Sequence, residues 1–69
     1  MYSGQTVKSQ HEMGNGEVVR VGDQIWCGYP AKPAIILHLG IELARVRYLE
    51  SGRERTVKYV TFAGKYDGD

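Results

Sequence analysis

The sequence predicts a small all-β domain, with about five short antiparallel strands curled into a barrel behind a flexible leader. Three observations carry that expectation. Short runs rich in β-branched and aromatic residues recur at close intervals, separated by Gly, Pro and Asp. No connection is long enough for the crossover that parallel strands need. The chain has 69 residues, enough for one domain with a modest core.

Residues 1–17, MYSGQTVKSQHEMGNGE, are polar, glycine-dotted and without periodicity, and read as the flexible leader. Order is expected over 18–66. Gly22-Asp23 signals a turn into a first strand, Gln24 to Cys27. Gly28 to Pro33 forms a corner, where two prolines without backbone donors should break the pairing. Ala34 to His38 is a second strand, apolar on both faces, and Leu39-Gly40 punctuates it. Glu42 to Leu49 is a third. Glu50 to Arg53 is a hairpin turn, with Gly52 free to take a positive φ. Glu54 to Val60 is a fourth strand, and Thr61 to Tyr66 is a fifth strand after a short turn, or a tail. Residues 67–69 read as frayed. Ile36, Leu39, Leu43, Val46 and Leu49 also fit a helical period. Gly40 within that span and the alternation Val46-Arg47-Tyr48 favour strands.

Composition narrows the function classes. A hydrophobic content of 42% is ordinary for a folded domain and argues against wholesale disorder. Nine basic and eight acidic residues leave a net charge of +1, too balanced to point to nucleic acid by itself. Cys27 is alone, so no disulfide can staple the chain, and a reducing, cytoplasmic location is expected. One Cys with two distant histidines, His11 and His38, makes no zinc cage. No signal peptide is visible, and the apolar run Ala34 to Leu37 is too short to span a bilayer. Cys27, His38 and Asp23 do not combine by spacing into a nucleophile, base and orienting acid. No phosphate loop is present. The reading is therefore of no enzyme and no cofactor.

Three features are candidates for function. Tyr29 sits on the proline corner rather than in a strand, so it can line a groove; the bland alternative is a tyrosine bonding its hydroxyl to backbone. Trp26 and Phe62 are expected in the core, with Trp26 also a candidate for the groove. From Leu43 to Lys65, six basic residues (Arg45, Arg47, Arg53, Arg55, Lys58, Lys65) face two acidic ones, Glu50 and Glu54. That basic hairpin suits a phosphate backbone, or else a solvated face and charged edges that discourage aggregation. Strict alternation puts Ile35, Leu37 and Leu39 on one face and Ile36 and His38 on the other. A barrel has one inside, so Ile35, Leu37 and Leu39 are expected to form a self-association surface, most simply of a two-fold dimer.

The stretch VGDQIWCGYPAKPAII resembles the opening of a PWWP domain, a branch of the Tudor-like, SH3-like barrels. The residues that carry the likeness are Gly22, Asp23, Trp26, Gly28, Tyr29, Pro30, Pro33, Ala34 and Ile36, and ARVRYLESG resembles the family's aromatic-ended third strand. The resemblance spans residues 21 to about 62. It implies an SH3-like barrel and, if the methyl-lysine cage survives, Tyr29 and Tyr48 as its walls. The motif's two central aromatics are Ala31 and Lys32 here, and a lysine repels a cationic ligand. The helices that follow the barrel in that family have no counterpart. The chain also resembles the plasmid-borne type II dihydrofolate reductases, short SH3-like barrels with a leader that assemble as tetramers around a pore. Their Val-Gln-Ile-Tyr strand corresponds to Val57-Lys58-Tyr59-Val60, without the glutamine.

The function expected from all of this is non-catalytic binding of a peptide or protein partner, in a groove built by Tyr29, Lys32, Tyr48 and Trp26, with self-association. A nucleic-acid-binding barrel using Arg45, Arg47, Arg53, Arg55 and Lys58 is the first alternative. A pore enzyme of the reductase kind is the second.

Overall fold

The computed structural model describes residues 8–66. The chain is all-β. Among the described residues seven strands form in order: β1 (His11–Glu12), β2 (Val18–Val19), β3 (Gln24–Cys27), β4 (Lys32–Leu39), β5 (Leu43–Tyr48), β6 (Glu54–Lys58) and β7 (Phe62–Lys65). A 3-10 turn, Tyr59–Thr61, separates β6 from β7. β1 and β2 make a two-stranded hairpin, and the other five form one sheet in the order β6-β5-β4-β3-β7. Every pairing is antiparallel. The helical period through Ile36 to Leu49 is therefore not used: Gly40 to Glu42 turn the chain between two strands.

The expected barrel does not close. β6 and β7 are both edges of the sheet, because the 3-10 turn carries the chain past the core to pair β7 with β3 rather than with β6. The N-terminal hairpin meets the β7 edge instead.

The core lies on one face of the sheet. Ile25 and Cys27 of β3, Ala34, Ile36 and Leu39 of β4, and Ala44 and Val46 of β5 are all buried, joined by Met13 and Val19 from the hairpin. Tyr48, Val57, Tyr59 and Phe62 pack around this cluster, so Phe62 takes its expected place only partly buried. Along β3 and β5 the inward residues alternate as the pleat requires.

Four departures from the sequence reading have local causes. Residues 8–17, assigned to the flexible leader, contain β1 and a tight turn in which Met13 N–H bonds Glu17 O at 2.7 Å. Met13 supplies the one large apolar side chain there and drops into the core. The rest of that leader, 1–7, and the tail 67–69 lie outside the described residues. Pro33, expected to break pairing, sits inside β4 opposite Trp26. Its carbonyl accepts Leu49 N–H at 3.0 Å, so it supplies the acceptor half of the last rung and its missing donor falls where β5 has ended. Leu39 is buried rather than on an outer surface, because a bulge between Ile36 and His38 inserts one residue and flips the alternation. Trp26 lies outside the core, at 38% exposed, on the opposite face from Ile25 and Cys27 and edge-on to Tyr66 at 4.9 Å.

Candidate functional site

The corner that leaves β3 and enters β4 is short, Gly28 to Ala31, and its geometry depends on a glycine. Gly28 has φ 100°, a conformation L side chains rarely adopt, and a Cβ there would lie 3.2 Å from the Tyr48 hydroxyl. The missing side chain thus lets Tyr48, at the end of β5, reach under the corner. The Tyr48 hydroxyl donates to Cys27 Sγ at 3.8 Å. Burial, and then the Cys27 thiol, push the Tyr48 hydroxyl's pKa above its usual value. Tyr48 is therefore a neutral phenol at physiological pH, packed against the core on one side and facing a groove on the other.

Tyr29 stands at the outer lip of the corner. It is 80% exposed, and its hydroxyl donates to Val60 O at 3.0 Å. Both readings of this tyrosine hold at once: the hydroxyl is fixed by backbone while the ring remains open. The Tyr29–Pro30 peptide is cis.

Between the corner and the β5–β6 hairpin lies an open groove of about 460 Å³. Tyr29, Pro30, Lys32, Pro33 and Tyr48 line one side, and Ser51, Arg53, Arg55, Thr56 and Val57 the other, with Glu50 at the turn. Of the four residues expected to build it, Tyr29, Lys32 and Tyr48 are brought together. Trp26 is not among its walls, because its side chain leaves the other face of the sheet.

The basic hairpin divides between the two faces. Arg47 pairs with Glu54 and Arg45 with Thr56, so these four residues share the outer face. There Glu54 accepts from Arg47 at 2.7 Å and from Arg45 at 3.3 Å, and those bonds hold its carboxyl below the usual carboxylate range. Lys58 lies opposite Leu43 on that face. Arg53 and Arg55 line the groove with Lys32. Among the described residues none of these three is ion-paired, so the groove holds three open cations against one carboxylate, Glu50. The sequence reads the hairpin as a single basic surface, whereas the structure divides it and places Arg53 and Arg55 in the groove lining. The signal that places Arg55 was its parity: it is one residue out of step with Glu54, hence on the other face.

β6 also presents backbone. Tyr48 N–H bonds Arg53 O at 2.8 Å, which marks that pair as hydrogen-bonded. Alternation then directs the backbone groups of Arg55 and Val57 at β5 and those of Glu54, Thr56 and Lys58 outward. The Lys58 carbonyl is taken by Thr61 Oγ1 at 2.7 Å. The outward groups of Glu54 and Thr56 remain, and Thr56 lines the groove.

A second aromatic cluster stands elsewhere in the fold. His11 stacks on Tyr59 with ring centroids 3.9 Å apart, and Phe62 meets Tyr59 edge-on at 5.4 Å. Lys8 Nζ lies 4.3 Å from the Tyr59 ring centre and donates to His11 Nδ1 at 2.9 Å. Burial and the neighbouring Lys8 lower the His11 pKa, so the imidazole is neutral and accepts that bond. The Tyr59 hydroxyl donates to Gly40 O. This cluster already holds a cation of its own chain.

Among the described residues no three His, Cys, Asp or Glu side chains converge to hold a metal, and no helix is long and apolar enough to cross a membrane. No family model matches this chain, and neither a curated protein nor a solved structure matches it.

Proposed function

We propose that this protein is a small non-catalytic binding module whose groove receives a peptide segment of a partner protein. One observation carries the reading: an open groove of about 460 Å³ between the proline corner and the β5–β6 hairpin, with Tyr29 and Tyr48 at its wall and three cations that no carboxylate among the described residues holds. Pro30 and Pro33 limit the corner's freedom, so little ordering entropy is lost when a ligand binds. The tyrosines offer flat area with few rotors. The Tudor-like, PWWP-like resemblance supports a site at this corner. Lys32, Arg53 and Arg55 argue against a methyl-lysine ligand, because three cations repel a fourth.

The nucleic-acid alternative has less support. Arg45 and Arg47 are tied to Glu54 on the outer face, so the basic residues do not form one continuous track for a phosphate backbone. The pore-enzyme alternative rests on the reductase resemblance alone.

Self-association belongs to the outer face, where Trp26 and the half-buried Ile35 and Leu37 leave apolar surface beside the Arg–Glu network. A second copy of the chain is its occupant in this reading, and Leu39 no longer belongs to it. Light scattering over a range of concentrations reads it out: a dimer at high concentration that dissociates in Ile35→Lys agrees, and a strict monomer contradicts it. The cytoplasmic assignment rests on the unpaired, buried Cys27.

The test of the binding function is an amide-shift titration of isotope-labelled protein with pooled short peptides. The reading expects shifts centred on Tyr29, Lys32, Tyr48 and Thr56 from at least one pool. Shifts confined to residues outside the groove would overturn it.

A further inference from the structure

We propose that the groove and the open edge of β6 form one site for an acidic, extended segment of a partner protein, which adds to the sheet as a sixth strand. The inference rests on the peptide-binding reading above and goes further by naming the ligand's charge and its backbone conformation.

Two independent observations meet at β6. The first is electrostatic. Lys32, Arg53 and Arg55 converge on the groove from two different elements, and none is ion-paired among the described residues, while Arg45 and Arg47 one strand away are held by Glu54. A carboxylate entering the groove gains charge-assisted hydrogen bonds without breaking an existing ion pair. On the outer face it would have to compete with Glu54. The second observation is the backbone. Among the described residues β6 has β5 on one side and no strand on the other, and its outward amide and carbonyl groups at Glu54 and Thr56 fall beside the groove. An extended peptide satisfies these groups by β-addition, with alternate side chains facing the groove. A nucleic acid presents no such ladder. The side chains that project from the peptide toward the groove meet Arg53, Arg55 and Lys32, and an apolar one among them rests on Tyr29 and Tyr48.

The other edge of the sheet argues by contrast. At β7 the Lys65 N–H donates to Glu17 Oε1 at 3.1 Å, so this chain supplies its own carboxylate to that edge. The Glu17 carboxyl is held below its usual range chiefly by this backbone bond. The partner segment would do at β6 what Glu17 does at β7, on a larger scale.

The experiment uses fluorescence anisotropy with a labelled short peptide alternating glutamate and valine, a matched glutamine–valine peptide, and a labelled oligothymidylate. The glutamate peptide is expected to bind about tenfold or more tightly than its glutamine counterpart, with affinity falling as salt rises. The double variant Arg53→Gln/Arg55→Gln should lose about tenfold in affinity, while Arg45→Gln changes it by less than about twofold. Should the double variant misfold by circular dichroism, Lys32→Gln and the salt series carry the same comparison. Hydrogen exchange at the Thr56 amide should slow on binding. Equal binding of both peptides would overturn the acidic specificity while leaving the groove a peptide site. Shifts at Tyr29 without slowing at Thr56 would overturn the sixth strand. Tighter binding of oligothymidylate would replace the peptide with nucleic acid. Binding of none of the three probes would overturn this inference, while the pooled-peptide titration decides the binding function separately.

Discussion

The two edges of the five-stranded sheet are treated in opposite ways. At β7 the chain covers its own edge. The N-terminal hairpin brings Glu17 to the Lys65 amide, and a Cβ at Gly64 would lie 3.6 Å from the Asn15 side chain and 3.7 Å from Glu17. At β6 no described strand covers the edge, which is charged and next to an open groove. The tyrosines follow the same division. Tyr59 is stacked by His11, capped by the Lys8 ammonium and bonded to Gly40 O, whereas Tyr29 has its hydroxyl anchored and its ring open. A sheet edge and an aromatic surface are both liabilities when left open. Their coincidence at one place, opposite a place where both are covered, is what supports the proposed site on the β6 side.

The comparison breaks most readily at the covered side. Met13→Ala removes a buried side chain from the hairpin and should lower unfolding stability by about 2–4 kcal/mol in a denaturant titration. A hairpin that is only a leader would show no change. Next in size is Gly28→Ala, which combines a positive φ with the 3.2 Å approach of the Tyr48 hydroxyl. The expected cost is about 1–2 kcal/mol, with shifted Tyr48 ring resonances. Tyr29→Ala on the open side should cost about 1 kcal/mol or less, since one hydrogen bond is lost and little area is uncovered, yet it should weaken peptide binding more than either of the others.

The smallest effect is the pH dependence of the covered cluster. His11 has its pKa lowered in the fold, so the unfolded chain binds a proton more readily. Its contribution is complete above the ordinary value of 6.5 and declines as pH falls from there through the lowered folded pKa. Thermal melts between pH 7.5 and 5 should show a shallow loss of stability that His11→Phe flattens, because phenylalanine keeps the stack without the titration. An unchanged slope in that variant would assign the effect elsewhere. Glu17 and Glu54 act in a lower window. Their folded pKa values are depressed, so what they add is present above the usual carboxylate range and is lost on further acidification.

Much of the sheet was legible in the sequence. Gly22 and Gly52 mark turns, and both take the positive φ that only glycine adopts easily. The alternation in Gln24–Cys27 and Leu43–Tyr48 gives the buried faces directly. That Tyr29, Lys32 and Tyr48 line one groove was legible because the proline corner fixes two of them and strand parity the third. Other features depend on register, which no single strand reveals. The bulge after Ile36 sends Leu39 inward, and the Arg47–Glu54 pairing sends Arg45 and Arg55 to opposite faces. The β1–β2 hairpin was not legible because its strands have two residues each and Met13, the core residue that precedes Val19, sits among polar neighbours. Closure of the barrel was not legible, since strand count does not say where the last strand pairs.

Residue-resolved hydrogen exchange on the free protein tests the contrast between the edges most directly. The Met13 and Lys65 amides, held by Glu17, should be protected, and those of Arg55 and Val57 should be protected by β5, while Glu54 and Thr56 exchange fast. Fast exchange at Met13 and Lys65 together with slow exchange at Thr56 would reverse the assignment of covered and open edges and contradict the proposal built on it.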